Sequence, residues 1–367
     1  MSRKGLKVAL VADREGWVLD MIARAWAGAL SEAGHQPRVV IAPARRTVWC
    51  REMKRWDAVH FFSPWSFIHL AGFTPVPVVV TVHHLTVAGD RLIRPRLKHA
   101  ATVCVTNAAM HRNLAASQAA DGWYCPLVRV DVGINPDEYV FEPASRAKDF
   151  DRKAFVIGFA AKKSSNDDDR KGLDRMWAVL RVLKHETQPV RLRFFGPTGP
   201  SEWNPCDVPS DIRSLVEFAG YLDRPNYLRN LSSLDCYLSL SRVEGGPYPV
   251  LEKMACGGVI LSTPVGIVPE LVRSGENGFI VSGDDVGAIV EQIRALMCNP
   301  SLADEIGKRA QDDCWKRYGW KSVFARQPLS EVYQNALTWA KDKDRLGLKV
   351  RRWRCNLIRF LSKLRNR

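Results

Sequence analysis

Residues 239–258 read SLSRVEGGPYPVLEKMACGG, a stretch with the form of a loop that leads from a strand into a helix. It follows the apolar run Cys236–Leu240, which predicts a buried strand. Gly245 and Gly246 let backbone N–H groups approach a ligand closely, and the prolines that follow suit the first turn of a helix. Such a helix N-terminus favours phosphate, because it presents free N–H groups at the positive end of the helix dipole.

The same alternation of short apolar runs and longer amphipathic runs extends along the chain in both directions. This order predicts an α/β fold in which parallel strands are covered on both faces. Helices are predicted over Trp17–Ala33 and from about Leu173. The further predicted strands are Leu6–Ala12, Arg38–Ile41, Ala58–Phe62, Val76–Val82, Thr102–Thr106, Leu127–Val132, Ala154–Phe159, Val190–Gly196, Val216–Ala219 and Val259–Ser262.

The alternation is interrupted at Gly133–Asp151, where two prolines and many charges predict a linker between two α/β domains. We therefore expect an N-terminal Rossmann-like domain over residues 1–145, a second one over 146–325, and C-terminal helices with a basic tail over 326–367. Open parallel sheets bind ligands beyond the carboxyl ends of their strands. A ligand shared by both domains is expected in the cleft between them, held by strand-to-helix loops.

The composition is that of an ordinary soluble globular protein. Of 367 residues, 46% are hydrophobic and 25% are charged, which excludes collagen-like, low-complexity and wholly disordered classes. The nine cysteines are scattered without CxxC spacing, so we expect reduced thiols rather than disulfides or a zinc site. No apolar run reaches the roughly 18 residues that span a bilayer, and the N-terminal run Val8–Ala12 is too short for a signal peptide. A cytoplasmic protein is expected.

The formal net charge of +15 indicates an anionic partner, such as nucleic acid, a membrane surface or phosphorylated small molecules. Most of this excess lies in residues 341–367, where eleven basic and two acidic side chains leave a net charge of +9. Apolar residues recur in this tail at spacings of three and four, which predicts an amphipathic helix. They are Leu346, Val350, Trp353, Leu357, Phe360 or Leu361, and Leu364.

Three interpretations of this tail remain open. Residues 345–367 bind an anionic membrane surface, the apolar stripe packs on the protein, or the charges bind nucleic acid. We favour the membrane surface, because basic side chains that flank an apolar stripe suit the interface of anionic lipids. No nucleic acid partner is expected.

The run EGGPYPVLE, residues 244–252, resembles the signature of the retaining GT-B glycosyltransferases of family 4, in which two glutamates are separated by seven residues in an EG-x-P-x-x-x-x-E setting. The next run, MACGGVILSTPVGIVPELVRSGENGFIV, resembles the continuation of that signature. Weaker resemblance extends to VEFAGYLDRPNYLRNLSSLDCYLSLS, IGFAAKKSSNDDDRKGLD and VDVGINPDEYVF. The resemblance implies a GT-B fold, with an acceptor-side first domain and a second domain that binds a nucleotide sugar.

For the second domain, the resemblance also implies residue roles. Glu252 would hold the ribose hydroxyls of the nucleotide, and Glu244 would contact and orient the transferred sugar. Lys171 and Lys162 would stabilise the departing diphosphate, since cationic groups stabilise charge that develops in the transition state. The Gly245–Gly246 turn would lie beside the sugar and the diphosphate.

Further candidates follow from the same resemblance. His83, in Thr81-Val82-His83-His84, would reach the reaction centre from the acceptor side, and Glu270 would lie on a helix near the nucleotide. Gly16 stands where the family has a glycine-rich loop, although ADREGW has one glycine instead of a pair. Asp167–Asp169 could suggest a metal-binding motif, but we prefer a solvated loop. No metal and no cofactor besides the nucleotide-sugar donor is expected.

These observations predict a retaining, metal-independent hexosyltransferase that moves a sugar from a nucleotide-diphosphate sugar to a hydroxyl acceptor. The expected acceptor is a cell-envelope glycan such as lipopolysaccharide, or a lipid-linked saccharide, so we expect a peripheral enzyme on the cytosolic face of a membrane. The alternatives are a non-catalytic GT-B-fold protein that docks on membrane or RNA through its basic tail, a nucleotide-sugar epimerase and a phosphorylase-like enzyme.

Overall fold

The computed structural model forms two compact units. The first unit contains Met1–Gly133 and Trp320–Arg367, and the second contains Ile134–Gly319. The residues that the structure describes are 5–43, 45–85, 87–139, 154–161, 170–196, 203–327, 329–343 and 345–365.

Within the described residues of the first unit, six parallel strands form one sheet in the order β2-β1-β3-β4-β5-β6. The strands are β1 (Lys7–Ala12), β2 (Gln36–Ile41), β3 (Ala58–Phe61), β4 (Val78–Val82), β5 (Thr102–Val105) and β6 (Leu127–Arg129). Strands β3, β4 and β5 are buried along their whole length, as near-continuous apolar runs require in a parallel sheet.

A helix follows each of the first five strands of this unit. The helices are α1 (Val18–Glu32), α2 (Arg46–Glu52), α3 (Pro64–Leu70), α4 (Val87–Ile93) and α5 (Ala108–Ser117). Ser63 caps α3 and Asn107 caps α5, because each side chain accepts a hydrogen bond from a backbone N–H of the first helical turn.

The described part of the second unit also contains six parallel strands, in the order β12-β11-β10-β7-β8-β9. They are β7 (Phe155–Ala160), β8 (Val190–Phe195), β9 (Val216–Gly220), β10 (Cys236–Ser239), β11 (Val259–Ser262) and β12 (Phe279–Ile280). The helices are α6 (Leu173–Leu183), α7 (Arg224–Ser232), α8 (Tyr248–Ala255), α9 (Val268–Leu271), α10 (Val286–Cys298) and α11 (Pro300–Tyr318).

Three C-terminal helices return to the first unit: α12 (Trp320–Arg326), α13 (Leu329–Lys343) and α14 (Arg345–Arg365). A buried hydrogen-bonded chain fastens α13 to the sheet. The Tyr333 hydroxyl lies 2.9 Å from His60 Nδ1, and His60 Nε2 lies 2.7 Å from Thr81 Oγ1. Helix α13 is therefore part of the first unit's core.

Helix α14 packs against α2 and against the short turn Ala71–Phe73. Arg351 Nη2 donates to the carbonyl of His99 at 3.1 Å, and Cys355 Sγ lies 3.3 Å from the carbonyl oxygen of Phe73. Arg351 and Cys355, both buried, mark the face of α14 that docks on the protein. The apolar stripe predicted from the sequence is a different face of this helix.

The predicted α/β fold with parallel strands is confirmed, and two elements differ from the prediction. Strand β12 was not predicted, because the apolar run Phe279–Val281 is shorter than the roughly four residues that indicate a buried strand. The strand predicted over Leu127–Val132 ends at Arg129. Beyond it, the backbone N–H of Asp131 donates to Gln327 Oε1 at 2.8 Å, so a side chain from α12's C-terminal end replaces a strand partner.

The chain passes between the units at Gly133–Ile134, before the expected boundary at residue 145. The backbone N–H of Ile134 donates to the carbonyl of Tyr318 at 2.8 Å, so residue 134 is already anchored to the second unit. The return lies at Gly319–Trp320 rather than at residue 325, and residues 320–367 join the first unit instead of standing apart. Composition locates a linker, whereas long-range hydrogen bonds fix the boundary.

We expect Tyr333→Phe to lower the stability of the first unit by about 1–3 kcal/mol, because it leaves a buried imidazole nitrogen of His60 without its partner. Chemical denaturation measures this change. The control is Tyr221→Phe at an exposed tyrosine, for which we expect no change. Equal stability of the two variants would contradict the role of α13.

Candidate active site

The loop from β10 to α8 carries Glu244 and the glycine pair of the signature, and α8 itself carries Glu252. A second loop, from β11 to α9, packs against the Gly245–Gly246 turn. The backbone N–H of Ile267 donates to the Gly245 carbonyl at 2.9 Å. Gly266 has a φ of +58°, and a Cβ at this position would lie 2.1 Å from the Gly245 carbonyl oxygen. The close approach requires glycine at 266 and holds the glycine turn in place.

Glu244 is the centre of an ionic cluster at this turn. Its side chain is 8% exposed, and Oε1 accepts hydrogen bonds from Lys171 Nζ at 2.5 Å and Arg170 Nη1 at 3.2 Å. The Ser241 hydroxyl donates to the same oxygen at 3.2 Å. Two cations against one carboxylate leave a net positive charge, which suits an anionic ligand.

Lys171 is positioned by the glycine that follows it. Gly172 precedes α6 with a φ of +70°, and a Cβ there would lie 2.2 Å from the Leu240 carbonyl oxygen. The backbone of Lys171 and Gly172 therefore packs directly on the end of β10. The predicted Lys162 and the Asp167–Asp169 run lie outside the described residues.

Glu252 lies in α8 and is 3% exposed. Its Oε1 forms an ion pair with Arg224 Nη1, and its Oε2 accepts a hydrogen bond from the Tyr227 hydroxyl at 2.8 Å. Burial raises the pKa of Glu252, and the positive charge of Arg224 opposes that rise. This carboxylate is thus held between α8 and the N-terminal turn of α7.

Tyr237 on β10 lies close enough to both glutamates to feel their charges. Its side chain is buried, and burial raises its pKa. The negative charges of Glu244 and Glu252 raise that pKa further, because both disfavour a phenolate nearby. Both carboxylates therefore lie near the Tyr237 side chain.

Glu270 lies on the short helix α9 and is partly exposed. The residue before this helix, Ile267, is bonded to Gly245, so α9 begins beside the glycine turn. The structure thus brings Glu270 to the same edge of the sheet as Glu244, while its contact with a nucleotide stays a prediction.

His83 follows β4 in the first unit. Burial, together with the smaller effect of the positive charge of His84, lowers the pKa of His83 to about 4, and a hydrogen bond to the backbone of Phe62 partly opposes this shift. In the part of the chain that the structure describes, the buried Nε2 of His83 finds no hydrogen-bond partner. Buried polar atoms are nearly always paired. A neutral imidazole nitrogen here is suited to accept a hydrogen bond from a hydroxyl group.

Gly16 lies in the loop after β1, with a φ of +73° that only glycine adopts readily. Its backbone N–H donates to Asp20 Oδ2 at 2.9 Å. This hydrogen bond fixes the loop at the start of α1. A role of Gly16 beside phosphate stays a prediction.

Sequence reasoning missed three residues of this site: Arg170, Arg224 and Tyr227. Arg170 directly precedes Lys171, so its position in the sequence could have identified it as a second cation of the site. Arg224 and Tyr227 lie in DRPNYL, far along the chain from Glu252, and no spacing rule connects them. Among the described residues, no group of three His, Cys, Asp or Glu side chains is arranged to hold a metal ion.

Residues 153–313 match the family model described as glycosyl transferases group 1. This part of the chain is a group 1 glycosyltransferase domain. The glycosyltransferase domain contains Glu244 in the β10–α8 loop, Glu252 in α8, Lys171 and Glu270, so the match covers the two-glutamate signature. Gly16, His83 and the run VDVGINPDEYVF lie outside the matched residues.

Two curated relatives extend the likeness beyond this domain. Sulfoquinovosyl transferase SQD2 of Arabidopsis thaliana is 24% identical over 313 residues, which cover 78% of this chain and 58% of that protein. The GDP-mannose-dependent alpha-(1-6)-phosphatidylinositol monomannoside mannosyltransferase of Mycolicibacterium smegmatis is 24% identical over 217 residues, which cover 57% of this chain and 56% of that protein. The chain thus spans less than two thirds of the length of these relatives.

A solved structure shares the fold. HepE of Anabaena, in complex with UDP and glucose, matches with a TM-score of 0.70 at 14% identity, covering 90% of this chain and 99% of that chain. At this identity the likeness shows the fold, which is GT-B with two parallel six-stranded sheets in the described residues. The predicted fold family is confirmed.

We expect the fold to lose stability in acid because of His83. As the pH falls from 6.5 towards 4, the unfolded chain protonates His83 before the folded chain does, so stability falls over this range. Between pH 7 and pH 4.5 the wild type should lose about 2 kcal/mol more than His83→Gln, which has no titrating ring. Denaturation at several pH values measures both proteins. Parallel pH curves for the two would contradict a buried, neutral His83.

Proposed function

We propose that the protein is a retaining glycosyltransferase that moves a hexose from a nucleotide-diphosphate sugar to a hydroxyl acceptor without a bound metal ion. One observation carries this proposal. The Glu244 carboxylate lies beside the glycine turn and is paired with Lys171 and Arg170. All three residues belong to the group 1 glycosyltransferase domain.

The cationic pair supports the departure of a diphosphate. Negative charge builds up on the leaving phosphates in the transition state, and fixed positive groups stabilise it without rearranging. Lys171 and Arg170 already lie at the turn, together with one carboxylate. Helix α8 begins beyond the Gly245–Gly246 turn, so its N-terminal N–H groups add hydrogen-bond donors for the same phosphates.

We assign the two carboxylates to different parts of the donor. A carboxylate accepts two parallel hydrogen bonds and so can bridge adjacent hydroxyl groups. We assign Glu244, at the loop, to the transferred sugar. Glu252, inside α8, is assigned to the ribose.

The proposed acceptor is a cell-envelope glycan or a lipid-linked saccharide. Its support is the relative from Mycolicibacterium smegmatis, whose name specifies a phosphatidylinositol monomannoside acceptor. His83 supports a hydroxyl acceptor in this chain, because its buried Nε2 can accept a hydrogen bond while the ring is neutral.

Donor binding tests the proposal. In a screen of UDP-, GDP-, ADP- and dTDP-sugars, we expect at least one of the three ribonucleotide sugars to raise the melting temperature, since a ligand that binds the folded state stabilises it. Glu252→Ala should weaken that binding by about 1–3 kcal/mol, the contribution of a hydrogen bond to a charged group. Titration calorimetry measures the affinity, and Glu291→Ala, at an exposed glutamate, is the control.

The outcomes separate the candidate functions. Transfer with an α-linked product from an α-linked donor supports retention. A protein that binds no nucleotide sugar would be a docking protein that kept the fold. Conversion of one nucleotide sugar into another without transfer would indicate an epimerase.

We also propose that α14 attaches the protein to the cytosolic face of an anionic membrane. Val350, Trp353 and Leu357 are 42%, 63% and 40% exposed, at the spacings of three and four that form one helical stripe. At 3.6 residues per turn, this stripe lies on roughly the opposite face from Arg351 and Cys355, which dock on the protein. The side chains of Leu346, Phe360, Leu361 and Leu364 lie outside the described residues.

Basic side chains flank the exposed stripe. Lys349, Arg352 and Arg354 are exposed beside it. Apolar groups can enter the acyl boundary while these cations meet anionic headgroups, each contributing about 1 kcal/mol near such a surface. Among the described helices, none is long and apolar enough to cross a bilayer. A surface-bound helix is the mode that this arrangement supports.

Trp353→Ser with Leu357→Ser should lower binding to phosphatidylglycerol-containing vesicles about tenfold or more, because two apolar anchors are lost. Vesicle sedimentation measures the partition. Tyr124→Ser, at an exposed aromatic residue of the same unit, is the control and should bind as the wild type does. Unchanged sedimentation of the double variant, or no binding of the wild type, would overturn the membrane proposal.

A further inference from the structure

Arg224 joins three segments of the second unit at the buried glutamate. Its Nη1 pairs with Glu252 on α8. Its Nη2 lies 3.1 Å from Glu138 Oε2 and 2.8 Å from the Tyr139 hydroxyl, both in the segment just after the boundary between the units. Arg224 itself begins α7. The guanidinium is therefore fixed from two sides, with separate N–H groups directed at each carboxylate.

We propose that Arg224, assisted by Tyr227, is a positioning residue that holds Glu252 for the two ribose hydroxyls of the donor and so makes the site select ribonucleotides over 2′-deoxyribonucleotides. This inference rests on the proposed function of Glu252 and adds a residue pair and a selectivity to it.

The Glu252 carboxylate keeps acceptor positions for two further hydrogen bonds. An ionised carboxylate offers about four lone-pair positions. Arg224 uses one on Oε1, and the Tyr227 hydroxyl uses one on Oε2. Each oxygen can therefore accept one further hydrogen bond, and the adjacent 2′ and 3′ hydroxyl groups of a ribose supply two donors. A 2′-deoxyribose supplies one, and the other acceptor position would lose its partner.

Arg224 also determines the charge of Glu252. The carboxyl is buried, and burial by itself raises its pKa, whereas Arg224 favours the ionised form. Glu138 acts in the same direction as burial, because it carries a like charge. Without Arg224, the pKa of Glu252 should rise further, and a protonated carboxyl would offer an O–H donor where the ribose requires an acceptor.

The other titratable groups around Glu252 do not replace this cation. Tyr227, Tyr237 and Tyr248 approach it from α7, β10 and α8, and Cys256 lies at the end of α8. The pKa of each is raised, with burial as the largest cause, so each is neutral near pH 7. Their contribution is steric and hydrogen-bonding rather than ionic.

Lysine offers a matched conservative variant at position 224. An ammonium group keeps the positive charge but lacks the planar fork that lets arginine address Glu252 and Glu138 at the same time. Arg224→Lys should therefore preserve the ionisation of Glu252 and lose part of its orientation. Arg224→Gln should lose both.

Titration calorimetry with UDP and dUDP, GDP and dGDP, and ADP and dADP tests the proposal, using the pair whose ribo form binds the wild type. The wild type should prefer the ribo form about tenfold, since one hydrogen bond to a charged group is lost in the deoxy form. Glu252→Gln and Arg224→Gln should reduce the preference to about threefold or less, and Arg224→Lys should fall between. Arg229→Gln, at an arginine on the same helix that contacts Asn226, should keep the full preference.

The pH dependence is a readout that a purely structural role would not change. As the pH falls, protonation of Glu252 should weaken the preference for the ribo form. This loss should begin at a higher pH in Arg224→Gln than in Arg224→Lys, because removing the cation raises the pKa of Glu252. Tyr227→Phe should weaken the ribo form more than the deoxy form and should shift that pH upward by less than Arg224→Gln does, because it removes a smaller contribution that lowers the pKa of Glu252.

Three results would overturn the proposal. Equal loss of affinity for the ribo and deoxy forms in Arg224→Gln would mean that Arg224 contacts another part of the nucleotide. A lowered melting temperature with the ribo preference unchanged in Arg224→Gln and Arg224→Lys would mean that Arg224 serves only the fold. No binding of any nucleotide to the wild type would remove the proposed function itself, which distinguishes that failure from the other two.

Discussion

In the described strands of both units, each strand runs parallel to its sheet neighbours, and this constraint places the functional loops. Parallel strands end at a common edge, so segments that are distant in sequence meet there. In the second unit, the end of β10 lies beside Lys171 through Gly172, and the β11–α9 loop supports Gly245. In the first unit, the same geometry sets Gly16 and His83 in loops after β1 and β4.

The cost of burying carboxylates explains how the two glutamates of the signature are paired. An ionised carboxylate removed from water needs opposite charge and hydrogen bonds. Glu244 obtains them from Lys171, Arg170 and Ser241, and Glu252 from Arg224 and Tyr227. The two clusters differ in surplus charge. The Glu244 cluster carries an excess of cations, whereas Glu252 shares the single cation Arg224 with Glu138.

The C-terminal helices show how the net charge of +15 is used. Helix α13 is fastened to the first unit through Tyr333 and His60. Helix α14 docks with Arg351 and Cys355, and this leaves its most apolar stripe turned to solvent with cations beside it. A helix that buries a mixed face and exposes an apolar one is stable only if tertiary contacts hold it. Its orientation is therefore a property of the packing, and it underlies the membrane proposal.

The sequence by itself determined the alternation of strands and helices, the parallel sheets, and the loop and helix that carry Glu244, Gly245 and Glu252, because these depend on local periodicity and on residues close in the chain. It left out β12, the boundary at Gly133–Ile134 and the exposed face of α14. Only the tertiary structure decided these features and the pairing of Arg224 with Glu252. The physical reason is that each depends on contacts between distant segments, where burial selects one partner among many that the same residue types allow.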